Sequence, residues 1–361
     1  MRLIDLGWTA ERDAEFVPWA GTAGLMPARV AVEYNYLYRV FVSDGEGGAT
    51  EIEAVATGRL KHQAVSRREL PAVGDWVVVR RHADQASASI VALLPRRTRF
   101  SRKVAGHVTD EQVVAANVDV VFIVMSLDAD FSVRRLERYL LTARESGAAA
   151  VTLLTKPDLC ADVPRLVHEA GEVAGSAPVH VVNPRADEGT AVVAGYLGTG
   201  RTGALLGSSG VGKSTIINRL LGADVLRTRE VRADSKGRHT TTNRALIVLP
   251  LGGALIDTPG MRELQLWDVG ESVRDAFDDI ESFVGQCRFS DCQHRQEPGC
   301  AVKRAVAELR LSAERLDSYL TLQSEAVALA RQQDERLQRE EKRRAKVTGK
   351  VPKSRGRTVP G

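Results

Sequence analysis

Residues 203–221 read GALLGSSGVGKSTIINRLL. An apolar run, a glycine-rich octet and a helical pattern follow one another. The octet Gly207-Ser208-Ser209-Gly210-Val211-Gly212-Lys213-Ser214 fits G-x-x-x-x-G-K-[ST]. Its glycines let the main chain fold around phosphates. The exposed N–H groups and the following helix N-terminus attract anions without desolvating a side chain. Lys213 is the candidate to neutralise the β- and γ-phosphates, the Ser214 hydroxyl is a candidate ligand for Mg²⁺, and Thr215 opens the helix beside them. The strand before the octet and the helix after it mark a nucleotide-binding α/β domain.

Two further strand tips belong with this loop. Downstream, Ala254–Gly260 (ALIDTPG) puts Asp257 at the end of an apolar strand, 43 positions after Ser214. That carboxylate can hold Mg²⁺ through water, and the Gly260 N–H can turn towards a γ-phosphate. Upstream, Leu153–Asp158 (LLTKPD) ends another apolar strand in a [NT]-K-x-D pattern. The Asp158 carboxylate can accept from guanine N1–H and its 2-amino group, Lys156 can lie along the base face, and Thr155 begins the motif. Adenine lacks both donors and would leave a buried charge unpaired, so the choice of guanine is strong.

The order is unusual. The base reader (155–158) precedes the phosphate loop (207–214), which precedes Asp257–Gly260, whereas GTPases ordinarily run phosphate loop, D-x-x-G, base reader. The same sheet assembles if the old termini are joined and new ones opened, because termini commonly lie close together. Strands are expected at 118–125, 149–154, 179–182, 203–207, 245–249 and 254–257. A helix capped by Ser132 is expected through about Glu145. The expected fold class is a circularly permuted α/β P-loop GTPase domain with an N-terminal all-β barrel and a C-terminal helical zinc module. The chain is expected to divide into an extension (1–27), a small barrel (28–104), the GTPase domain (105–280), the zinc-binding helical module (281–335) and a basic tail (336–361). Because Asp257–Gly260 leads almost directly into the C-terminal module, nucleotide state has a route to it.

The barrel reading rests on short strands between turns: Ala31–Val42, Glu51–Ala56, Gly58–Val65, Asp75–Arg80 and Ala88–Leu94. Tyr34, Tyr36 and Tyr38 keep period two on the first, where a shared face could stack on bases or be an ordinary half-buried strand. Cys287, Cys292, His294 and Cys300 fall within fourteen residues as C-x4-C-x-H-x5-C. That set suits a closed, structural Cys₃His zinc site in a segment too small to bury its own core. Cys160 is left over as a small buried hydrophobe.

Composition agrees. The chain has 361 residues, 43% of them hydrophobic and 27% charged, which excludes wholesale disorder. No apolar run approaches the ~20 residues of a membrane span, and no basic-then-apolar leader opens the chain, so a cytoplasmic protein is expected. The net charge of +4 is uneven: −2 over 1–27, +5 over 28–104, −7 over 105–335 and +8 over 336–357. Basic ends around an acidic body suggest arms for a polyanion.

Together these motifs resemble the small ribosomal subunit biogenesis GTPases of the RsgA (YjeQ) family. The resemblance covers roughly 28–325. Its most specific parts are the permuted order, GRHTTT (237–242), DTPGMRE (257–263) and CRFSDCQHRQEPGCAV (287–302). It implies an OB-fold for the barrel over 28–104, GTP hydrolysis stimulated by the small ribosomal subunit late in maturation, contact with rRNA, a structural zinc ion and Mg²⁺ with GTP; a monomer is expected. Thr241 best matches the switch threonine that reaches Mg²⁺, with Thr240 the alternative. Two departures stand out. Asn183-Pro184 replaces the usual Ser-Ala that faces guanine O6, which passes that role to the Arg185 N–H or another. Thr155 replaces Asn, putting the tie between base-reading and phosphate loops in question.

After Gly260, Met261 stands where Ras-like enzymes place a water-orienting Gln. A thioether cannot align water, so slow intrinsic hydrolysis is expected, with the ribosome ordering residues 232–242 and His239 a candidate substitute. The rival reading is an RNA-binding assembly or translation factor with a vestigial nucleotide site. The intact Lys213, Ser214 and Asp257 stand against it.

Overall fold

The residues expected to form one strand over 31–42 fold as a hairpin. β1 (Leu25–Tyr34) pairs antiparallel with β2 (Leu37–Ser43), Ala28 opposite Val42 and Tyr34 opposite Leu37, with Tyr36 at φ 67° in the turn. Tyr34, Tyr36 and Tyr38 therefore share no strand face. Tyr38 points into the barrel and is 1% exposed, whereas Tyr34 and Tyr36 are exposed. Alternation continues unbroken through the turn, so periodicity alone could not locate it.

The computed structural model describes residues 1–34, 36–81, 87–103, 111–129, 131–186, 189–222, 244–257, 273–274 and 276–348. Thr240, Thr241, His239, Gly260 and Met261, the switch stretch 232–242 and the end of the tail lie outside them.

The barrel continues with β3 (Ala49–Ala56), α2 (Gly58–Gln63), β4 (Trp76–Arg81) and β5 (Ser87–Leu93). Before it, α1 (Ala10–Phe16) belongs to the N-terminal segment. Strand order β1-β2-β3-β5-β4, with β4 returning to β1, closes five strands around Val30, Tyr38, Val40, Val77, Val79 and Ile90. β3 and β5 run parallel. The Gly58–Val65 segment, expected as a strand, is α2: Thr57 Oγ1 accepts from the Leu60 N–H at 3.3 Å and caps it. A two-stranded sheet, β6 (Arg99–Lys103) with β7 (Glu111–Ala116), follows the barrel.

Beyond it the chain alternates strand and helix. β8 (Val120–Ser126) is buried at every position, as a strand covered on both faces must be. α3 (Val133–Ser146) is capped by Ser132, and β9 (Ala149–Thr155), α4 (Val163–Ala174), β10 (Val179–Val181) and α5 (Ala191–Tyr196) follow. Next come β11 (Thr202–Leu206), α6 (Lys213–Leu221), β12 (Arg244–Val248) and β13 (Ala254–Asp257). The order β10-β9-β8-β11-β13 is parallel throughout, with β12 antiparallel on β13. β12 also pairs with β1, Ala245 opposite Val32, so barrel and sheet form one ladder. The C-terminal module comprises α7 (Asp278–Val284), α8 (Ala301–Ala307) and α9 (Ala313–Thr348). α9 runs through the expected tail boundary at 335.

Three guanidiniums, those of Arg12 and Arg29 buried and that of Arg96 half-buried, clasp these parts together. Arg29 on β1 donates to the carbonyls of Leu6, Gly74 (3.4 Å) and Asn117 (3.1 Å) and lies over Trp76. Burial lowers its pKa to about 10, so it stays cationic at neutral pH. Arg12 of α1 donates to Pro95 O and Asn117 Oδ1, which packs the N-terminal segment onto the body. Arg96 grips the fully buried Asp75 carboxylate through Nε (2.8 Å) and Nη2 (2.6 Å). Arg96→Met leaves that carboxylate unpaired, and urea denaturation should show about 3–5 kcal/mol of lost stability; an unchanged midpoint would contradict this reading.

Candidate nucleotide site and metal centre

Parallel β8, β9, β11 and β13 end at one edge, where an open α/β sheet binds ligands. β11 delivers the glycine-rich octet there. Gly207 takes φ 153° with its Cα so close to β8 that a Cβ would stand 2.2 Å from Val124 O. Gly212, at φ 103°, begins α6, which Lys213 enters. The Lys213 ammonium folds back over the loop, donating to Gly207 O at 2.6 Å and to Ser208 O. Such a turn of main chain at a helix N-terminus, with one ammonium across it, is a cradle for phosphate oxygens. Ser214 stands in the first turn of α6, and Asp257 ends β13, beside β11 in register. Hydroxyl and carboxylate are the hard oxygen donors that Mg²⁺ takes.

The base-reading motif meets this loop directly. Thr155 Oγ1 donates to Val211 O at 2.6 Å and lies 3.2 Å from Met125 O. The tie that Thr155 put in question is therefore made, by a hydroxyl. Lys156 adopts φ 55° and its Nζ holds Asp128 Oδ2 at 2.8 Å, while Ser126 Oγ holds the other oxygen. Asp128 is a residue that the sequence reading missed; it sits just past β8 without a motif to mark it. Asp158, in the short 3₁₀ turn Pro157–Leu159, is exposed and makes no hydrogen bond among the described residues. Arg185 N–H, a candidate for guanine O6, is instead occupied by Asn183 Oδ1 at 3.1 Å.

Cys287, Cys292, His294 and Cys300 converge with ligand atoms all within 4.8 Å of one another. His294 Nδ1 lies 3.6 Å from Cys287 Sγ and 3.5 Å from Cys300 Sγ. Two ligands of a tetrahedral zinc ion, one sulfur and one nitrogen, stand about 3.6 Å apart, so the donor set fits. Main-chain N–H groups of Ala301 and Lys303 donate to Cys287 Sγ and Cys300 Sγ, each at 3.4 Å, the second-layer contacts that stabilise thiolates. Burial raises the Cys287 thiol, but donors from Ala301 and Val302 outweigh it and leave the pKa below its ordinary value. Cys292 goes up to about 11, through desolvation first. Desolvation also lowers His294 and favours the neutral ring that a metal needs. Cys160 lies apart and is half-buried.

Comparison with known proteins agrees with this geometry. A model of the RsgA GTPase family matches residues 93–267, and one described as 50S ribosome-binding GTPase matches 202–338. The chain is 46% identical over 356 residues to the small ribosomal subunit biogenesis GTPase RsgA of Opitutus terrae, covering 96% of this chain and 95% of that protein. This chain belongs to the RsgA GTPase family. RsgA 2 of Lactiplantibacillus plantarum is 45% identical, covering 90% and 89%. The crystal structure of YjeQ from Thermotoga maritima superposes with a TM-score of 0.60 at 25% identity, over 84% of this chain and 99% of that one. YloQ, a circularly permuted GTPase, has the same fold with a TM-score of 0.57 at 22% identity, over 86% and 97%. The protein is a GTP hydrolase with a permuted GTPase fold. No helix among the described residues is long and apolar enough to cross a membrane.

Thr155→Val should weaken GTP binding by roughly tenfold, equivalent to one hydrogen bond of about 1.4 kcal/mol, and Thr155→Asn should largely restore it; equal affinities in calorimetry would show the tie idle. Elemental analysis should find one zinc per chain, lost in Cys300→Ser together with protection of α7 and α8 against hydrogen exchange. A metal-free protein with α7 and α8 protected would refute a structural zinc.

Proposed function

We propose that this protein binds the small ribosomal subunit and hydrolyses GTP late in that subunit's maturation, and that the subunit stimulates hydrolysis. The observation that carries the guanine-nucleotide part is the Thr155 hydroxyl bridging to Val211 O, which joins base-reading and phosphate loops from distant parts of the chain. The subunit part rests on family membership and on what the Opitutus relative is called.

In this reading Asp158 accepts from guanine N1–H and the 2-amino group, while Thr155 and Lys156 hold its loop. The octet Gly207–Ser214 and Thr215 wrap the phosphates. Lys213 leaves its carbonyl partners for the β- and γ-phosphates, spreading their charge in the transition state. Ser214, Asp257 and Thr241 would hold Mg²⁺, which supplies charge neutralisation when bound. Gly260 N–H faces the γ-phosphate. His239 aligns the attacking water in place of the glutamine missing at Met261. Zinc at Cys287, Cys292, His294 and Cys300 keeps the C-terminal module folded. The barrel and basic tail meet rRNA phosphates, and the protein acts as a monomer in the cytoplasm.

GTP turnover with and without purified small subunits tests this. The isolated protein should be slow and the subunit should accelerate it, less so as salt rises because counterions are released; fast turnover alone or a flat salt response would refute the dependence. Asp158→Asn should weaken GTP and favour xanthosine triphosphate, and unchanged preference would remove Asp158 from base reading. Undiminished stimulated turnover in His239→Ala would remove His239 from the chemistry.

A further inference from the structure

Helix α3 touches both the phosphate loop and the C-terminal module. At its start, Arg135 Nη1 donates to Ser208 Oγ at 3.0 Å. Ser208 is the second residue of the octet, and its carbonyl is one that the Lys213 ammonium holds. From the same helix, Arg134 pairs with Asp317 at 2.8 Å, Glu137 with Arg315 at 2.7 Å and Arg138 with Glu325 at 2.8 Å, all three partners on α9. One turn further, Leu141 is buried in the apolar cluster of the C-terminal module, with Phe277, Tyr319 and Leu322.

These contacts are unequal. The Arg134 and Arg138 pairs are exposed and contribute little. The Glu137–Arg315 pair is different, because the Glu137 side chain is only 5% exposed and that of Arg315 17%. Arg315 also donates to both carboxylate oxygens of Asp279 at 3.0 Å and to Ala276 O at 2.9 Å, and lies over the Phe277 ring. One guanidinium therefore fastens α3, the start of α7 and α9 together. From the Cys₃His cluster the path continues through Tyr319, whose ring adjoins His294 and whose hydroxyl donates to Glu281 of α7.

We propose that Arg135 is a positioning residue for GTP binding and hydrolysis, and that α3, held at Glu137 by Arg315, carries the state of the C-terminal module to the phosphate loop. The physical basis is rigidity and charge. A helix gripped by a buried ion pair moves as a unit, so a shift of α9 displaces the guanidinium that fixes Ser208. That guanidinium also adds positive potential next to a loop shaped for polyphosphate. This rests on the GTPase activity of the family and not on stimulation by the small subunit, so the test uses the isolated full-length protein.

The test is a double-mutant cycle read by GTP affinity and single-turnover hydrolysis. Arg135→Ala should weaken GTP binding and slow basal hydrolysis, each by roughly five- to tenfold. The paired replacement Glu137→Gln with Arg315→Met removes both buried charges together and should give a similar loss. Combined with Arg135→Ala it should add nothing further. Additive losses would overturn the linkage, and Arg135→Ala with unaltered affinity and rate would overturn the positioning role. Zinc content and thermal midpoint of each variant separate these outcomes from misfolding. If the paired variant loses its zinc, Glu137→Gln alone, which leaves Arg315 held by Asp279, replaces it in the cycle. Failure of Glu137→Gln to alter nucleotide affinity would then count against the proposal.

Discussion

Parallel registration of β9, β8, β11 and β13 governs everything at the nucleotide edge. Each strand ends there, so the loops leaving them are neighbours whatever their order along the chain. Thr155 shows how tight this constraint is. It closes β9, two strands from β11, yet its hydroxyl reaches Val211 in the loop that β11 feeds. β8 lies between them and contributes Val124 O, whose closeness to Gly207 admits no side chain on that residue. Permuting the chain alters which loops are covalent neighbours and leaves this ladder intact.

The chemistry follows from what the ladder brings together. The cradle presents main-chain donors and one ammonium that is now satisfied by carbonyls of the loop itself. Those carbonyl contacts are weak competitors for a polyphosphate, so the loop keeps its shape and exchanges one set of oxygens for another. Lys156 is held by Asp128 in the same manner, which fixes the loop that carries Asp158 while leaving the Asp158 carboxylate open. Preorganisation of this kind limits what must be reordered when nucleotide arrives.

Much of this was legible in the residues because phosphate, guanine and zinc each demand particular groups at particular spacings. The octet, Thr155–Asp158 and the Cys₃His knot all lie where strand ends and turns expose them. The barrel was legible only in outline. Tyr34–Tyr38 keeps its alternation across a turn, and Gly58–Gln63 is a helix because Thr57 caps it, a local hydrogen bond that outweighs composition. Asp128, Arg135 and Arg315 belong to no motif, since their partners are distant in sequence and only the packed fold brings them close. The same holds for Arg29, a buried cation whose acceptors are main-chain carbonyls of three separate segments.

The convergence of these strand tips on one guanosine triphosphate is tested most directly by the crystal structure of the full chain with Mg²⁺ and a non-hydrolysable GTP analogue. The account requires the Asp158 carboxylate on guanine N1 and the 2-amino group, and the Lys213 ammonium moved from Gly207 O and Ser208 O onto phosphate oxygens. A base bound away from Asp158, or an ammonium still on those carbonyls with the nucleotide in place, would contradict it.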